Sequence, residues 1–171
     1  MYIKWSDKKS KILLCILLVI FFAIAIGIMI ALLHSSDPEK DFLKGIKIQT
    51  DKEKVDAAFG EPLSYDKRSG VTLYQYEYQN CLYDATIRYS PTETVLEISI
   101  DASENNPQKI QKEIYGDQIT YFNKRFGMCN NNSDDLLQLY NWSHHTTSVD
   151  YFISLGYDNV TNQLSCFIKR K

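Results

Sequence analysis

Recognisable reaction chemistry is scarce in this chain. It has no GxSxG, no P-loop, no GxGxxG and no HExxH, so the common signatures of serine hydrolases, nucleotide binders, dinucleotide binders and zinc peptidases are missing. Cysteine is limited to four residues with no CxxC spacing, which leaves zinc-finger and thioredoxin chemistry without support. Histidine is limited to His34 and the adjacent pair His144-His145. Adjacent residues face opposite sides of a strand and diverge by 100° on a helix, so the pair makes poor joint ligands. Ser143 and Asp150 lie nearby, but a triad is defined by geometry and not by local clustering. Neither a catalytic residue, a cofactor site nor a metal site is expected. Averages of 44% hydrophobic and 23% charged residues exclude a disordered or collagen-like chain.

Charge is absent altogether from Ile12 to Leu33, where sixteen of 22 residues are Ile, Leu, Val or Phe. As a helix this stretch rises about 33 Å, enough to cross a hydrocarbon core of about 30 Å. Residues 12–33 are therefore expected to form a transmembrane helix. Four lysines (Lys4, Lys8, Lys9, Lys11) and one acid precede it. The positive-inside rule then makes residues 1–11 a cytoplasmic basic tail and sends the remainder across the membrane. Ala23-Ile24-Ala25 imitates a signal-peptidase site, but the apolar run continues to Leu33, which favours an uncleaved signal anchor. Cys15 reads as a small apolar residue of the span.

The other 15 basic and 20 acidic residues lie beyond Leu33. Residues 34–48 read as a linker, opened by Asp37-Pro38, and 49–171 as one exported α+β domain. Thr50-Asp51-Lys52-Glu53 has the pattern of a capping box, and Gly60 with Pro62 stops the helix it starts near Phe59. Three strands with period-two alternation follow, one with Tyr74, Tyr76 and Tyr78 on a shared face, one running from Cys81 to Tyr89, and one with Leu96, Ile98 and Ile100. Asn106-Pro107 predicts a second helix to about Ile114, ended by Gly116. Ile119 to Phe126 fits strand or helix, and Ser133 would cap a third helix from Asp134 to about Tyr140. Val149 to Tyr157 and Leu164 to Ile168 alternate as two more strands. The expected fold is an antiparallel meander sheet covered by short helices.

The run from Thr50 to Pro62, with Val55, Phe59-Gly60 and a following aromatic strand, resembles the opening of BamE/SmpA-OmlA modules and of β-lactamase-inhibitor-like domains. The likeness covers about residues 50–101 and implies a small protein-binding module in a bacterial envelope. BamE proteins carry a lipid anchor, whereas this chain has an uninterrupted apolar run. Phe126-Gly127 either echoes Phe59-Gly60 and opens a second copy, or shares only its helix-stop chemistry.

Cys81, Cys129 and Cys166 allow one disulfide with one thiol left over, or three reduced thiols. Twelve tyrosines make protein binding a natural use of the composition. Tyr74, Tyr76 and Tyr78 are the candidate binding stripe, with core packing as the alternative. The acidic balance disfavours nucleic acid. The expectation is a membrane-anchored, inner-membrane protein whose periplasmic domain binds protein without catalysis. A membrane-held inhibitor or immunity-type protein is the alternative.

Overall fold

The computed structural model describes residues 16–22, 24, 41–147 and 149–171. The chain divides into two units, Met1–Asp37 and Pro38–Lys171. In the first, residues 16–22 and 24 are helical. The basic tail, the rest of the expected span, Cys15 and residues 34–40 lie outside the described residues.

No helix among the described residues is long and apolar enough to cross a membrane. This corrects the expected transmembrane helix, the signal anchor and the single-pass inner-membrane localisation. The described helical residues of that stretch are 16–22 and 24, and the rest of 12–33 lies outside the described residues.

The second unit is one antiparallel sheet of eight strands. Its elements are α1 (Lys52–Phe59), β1 (Ser64–Asp66), β2 (Val71–Tyr78), β3 (Cys81–Tyr89), β4 (Val95–Ala102), α2 (Gln108–Phe126), β5 (Asn130–Asn131), β6 (Leu137–His145), β7 (Asp150–Asp158) and β8 (Gln163–Arg170). The strand order β1-β2-β3-β4-β8-β7-β6-β5 joins two meanders through the antiparallel pair β4–β8. The expected α+β fold with an N-terminal transmembrane helix is thus corrected to a single, strand-dominated sheet carrying two helices on one face.

Two local corrections have clear causes. The segment expected as a third helix from Asp134 is a turn that enters β6, paired residue for residue with β7 from Leu137↔Asp158 to His145↔Asp150. Asp134 Oδ1 accepts the amides of Leu136 at 2.8 Å and Leu137 at 2.7 Å, a local hydrogen-bonding pattern shared by turns and helix starts. The second helix does not stop at Gly116 but runs on to Phe126. A helical glycine costs about 1 kcal/mol. Ile114, Tyr115, Gln118 and Phe122 bury one stripe of α2 on both sides of it, which outweighs that cost.

The capping box also resolves differently. Asp51 is the N-cap of α1 and makes no side-chain cap bond, while Thr50 Oγ1 accepts the Lys47 amide at 3.1 Å. Residues 41–48, read as linker, belong to the core: Phe42, Leu43, Ile46 and Ile48 are all buried. Asp41, itself 1% exposed, accepts the amides of Leu43 and Gly45 and pairs with Arg125 of α2 at 2.9 Å.

The two halves repeat one plan, a helix followed by four strands. Gly60 and Gly127 end the helices in matching backbone conformations, φ 90° and ψ −163° against φ 89° and ψ −167°. Each glycine amide bonds the carbonyl four residues back, on Asp56 and on Asn123. The same two residues hold their helices to the sheet. The Tyr74 hydroxyl donates to Asp56 Oδ1 at 2.6 Å in the first half, and Trp142 Nε1 donates to Asn123 Oδ1 at 3.1 Å in the second. A shift of 68 residues carries Ile98 to Cys166 and Ile100 to Ile168, so it exchanges the pairs Ile98↔Ile168 and Ile100↔Cys166 about Ser99↔Phe167. A pseudo-two-fold axis therefore passes through the centre of the sheet. The Phe-Gly echo marks a second copy of the helix-plus-four-strand unit.

Candidate functional site

The face that carries Tyr74, Tyr76 and Tyr78 is the covered one. These tyrosines are 0%, 4% and 7% exposed, and their hydroxyls are engaged internally. Tyr74 bonds Asp56 and Tyr89, Tyr76 donates to the Phe42 carbonyl, and Tyr78 receives the Gln118 amide. Phe59 lies over Tyr74 and Tyr76 with ring centroids at 5.8 and 4.6 Å, and Phe42 meets Tyr83 edge-on at 5.0 Å. Burial, foremost, pushes the Tyr74 and Tyr76 hydroxyls well above the usual phenol range and Tyr78 up to about 12. The stripe picked out by alternation is core.

Cys81, Cys129 and Cys166 are all free thiols. Cys81 and Cys166 line the core, where burial pushes both thiols up and away from the reactive thiolate. His144 turns to the covered face between Phe126 and Tyr151, at 5.4 and 5.1 Å. His145 turns the other way and pairs with Asp150 at 3.1 Å. Ser143 receives the Lys171 ammonium at 3.2 Å. Among the described residues, no group of three or more His, Cys, Asp or Glu could hold a metal ion.

Among the described residues of the second unit, both helices and the 41–50 segment pack on the Tyr74 side, and no helix packs on the opposite sheet face. Strand register lays its side chains in cross-strand rows. One row runs Gln75, Asp84, Asp101, Ser165, Gly156, Leu139. The next runs Leu73, Thr86, Ser99, Phe167, Ser154, Asn141, and the third Val71, Arg88, Glu97, Lys169, Phe152, Ser143. Arg88 and Glu97 form a salt bridge across β3 and β4. Gln75 donates to Asp84 at 3.0 Å, and Asp84 sits directly opposite Asp101. Burial first and the Asp84 charge after it push the Asp101 carboxyl above its ordinary value, against the opposing pull of its Ser99 hydrogen bond.

Phe152 and Phe167 are half-buried members of this face, and Leu82 and Leu137 are 38% and 39% exposed at its margin. Sequence reasoning passed over both phenylalanines. The signal was their phase. Each stands between core residues, Tyr151 and Ile153 or Cys166 and Ile168, so each must point to the wet side of its strand.

No family model and no curated protein matches this chain. Among solved structures it is similar to the crystal structure of a DUF4309 family protein (YjgB) from Bacillus subtilis subsp. subtilis str. 168. The identity is 19%, over 74% of this chain and 83% of that one, with a TM-score of 0.42.

Proposed function

We propose that residues 41–171 form a non-catalytic protein-binding module that works through the open face of the sheet. The observation that carries the reading is the pair Phe152 and Phe167, two large aromatic side chains held on a sheet face that is mostly polar, with a few aliphatic side chains toward its edges. Aromatics in such positions supply contact area at small entropic cost, and the surrounding Ser, Thr and Asp side chains supply a polar rim. The tyrosines suggested by alternation have no part in it, because their hydroxyls are committed to the core.

The tandem helix-plus-four-strand plan supports a second reading within the same class. A second copy opened by Phe126-Gly127 was one of two alternatives at the sequence level, and tandem units are what the inhibitor-like resemblance implies; on this reading the partner on the open face is an enzyme that the module blocks. A photo-crosslinking residue at position 167 separates the outcomes when compared with one at exposed Lys112 on α2. A discrete adduct from position 167, absent from 112 and lost when Phe152→Glu is added, supports the module. An adduct with an enzyme whose turnover falls on addition of this protein supports the inhibitor. Equal labelling from both positions, or none from 167, refutes both readings.

A further inference from the structure

A second feature, independent of the open face, lies where the 44–50 turn meets α1. A cavity of about 330 Å³ opens there, lined by Lys44, Lys47 and Lys54 together with Ile46, Thr50 and Ala58. No carboxylate lines it. Among the described residues neither Lys44 nor Lys47 has an acid within ion-pair distance. Lys54 has only Asp51 at 3.2 Å, with the two side chains 73% and 61% exposed, a pairing that water and salt screen heavily.

The wall that carries two of these lysines is rigid. The amides of Lys44, Gly45, Ile46, Lys47, Gln49 and Thr50 all have partners, and the Asp41–Arg125 pair anchors the turn from below. Lys44 and Gln49 are held in the left-handed region, at φ 49° and 70°, where a side chain costs about 1 kcal/mol or more. The Lys44 ammonium lies 5.0 Å from the centroid of the Tyr76 ring, which holds it against the floor of the turn. Thr50 Oγ1 already accepts the Lys47 amide, so its proton is free to be donated.

We propose that this cavity binds a phosphate-bearing small ligand. Three lysines around one concavity with no acid in its lining make an electropositive rim, which a multivalent oxyanion neutralises more fully than a single charge does. A monocarboxylate would leave two of them uncompensated. Ammonium groups act as point charges toward phosphate oxygens without demanding the planar geometry of arginine. The volume admits a diphosphate or a phosphate monoester with a short organic portion beside Ala58.

Calorimetric titration of the full chain with inorganic pyrophosphate tests this, run beside a short-chain phosphatidic acid below its micelle concentration. Saturable one-to-one binding is expected, weakened at least about tenfold by Lys44→Ala with Lys47→Ala and again by raising the salt. The unfolding midpoint should fall only slightly, through the lost contact of Lys44 with the Tyr76 ring, so the loss of binding is not a loss of fold. Lys109→Ala with Lys112→Ala, exposed on α2, should bind as the parent does. Tighter binding of the lipid than of pyrophosphate assigns a headgroup as the source, and the reverse assigns a free phosphate. Absence of saturable binding to either probe overturns the proposal. So does binding that survives the Lys44 and Lys47 substitutions, or that falls equally in the Lys109 and Lys112 variant.

Discussion

Asp41→Ala should be among the most damaging single substitutions in the domain. The carboxylate is 1% exposed and serves three donors, the amides of Leu43 and Gly45 at 3.0 Å each and Arg125 Nη1 at 2.9 Å. Removing one partner of a buried ion pair costs about 3–5 kcal/mol. Orphaning the buried Leu43 amide adds about 1 kcal/mol or more, whereas Gly45 is exposed and water can take its amide. Arg125 keeps 25% of its side chain in solvent, so water recovers part of what it loses. The net expectation is a loss of about 3 kcal/mol in urea unfolding at neutral pH. Asp41→Asn, which keeps one acceptor oxygen without the charge, should lose about half of that. Arg125→Met should cost about 2 kcal/mol, and the double variant should be less damaged than the sum by about 1–2 kcal/mol, since the two groups share one interaction. An Asp41→Ala loss below about 1 kcal/mol, or strictly additive single losses, would refute the view that this pair ties the 41–50 segment to α2.

The repeated helix tether makes a paired prediction. Tyr74→Phe and Trp142→Phe each remove one hydrogen bond from a helix to the second strand of its meander. Each should cost about 1–2 kcal/mol, more for Trp142 because of its lost volume. The two costs should add, as they lie in different halves, and coupling beyond about 0.5 kcal/mol would argue against independent tethers. Alkaline pH should unfold the domain. Burial, foremost, pushes the Tyr78 and Tyr89 hydroxyls up to about 12, so between pH 10 and about 12 the unfolded chain sheds protons that the folded chain retains. Stability is therefore full below pH 10 and declines above it, by about 1 kcal/mol per pH unit for the pair after allowance for nearby solvent. A urea midpoint that stays flat from pH 9 to pH 11.5 would count against tyrosines buried in this way.

Much of the sheet is legible in the sequence because its strands bury one phase and wet the other. The alternation from Cys81 to Tyr89, from Tyr151 to Tyr157 and from Leu164 to Ile168 corresponds to β3, β7 and β8 with the same residues inward. Local pattern failed where one motif serves two structures. Asp134 satisfies two amides in a turn as it would at a helix start, and Gly116 stops a helix only where tertiary packing does not carry it through. Asn106, which with Pro107 signals the helix start, spends its side chain on β3 instead, accepting the Leu82 amide and donating to the Leu82 carbonyl. The joining of the two meanders had no local signature at all, since β4 and β8 stand 68 residues apart. The candidate site was hidden for a related reason: the eye follows the apolar phase of a strand, whereas Phe152 and Phe167 are informative for departing from the polar one.

The pairing of β4 with β8 bears on how the domain is assembled. The strand that comes last in order along the chain occupies the middle of the finished sheet, with β4 on one side and β7 on the other. Until it docks, no strand of one half is paired with a strand of the other, and β4 and β7 both present raw edges to solution. Closing that seam requires a loop of some 70 residues to be drawn shut, a slow search compared with zipping either hairpin set. Cleavage or truncation ahead of Gln163 would therefore cost more than the eight residues of β8. It would release two separate ribbons, each with an unpaired flank open to pairing with another chain.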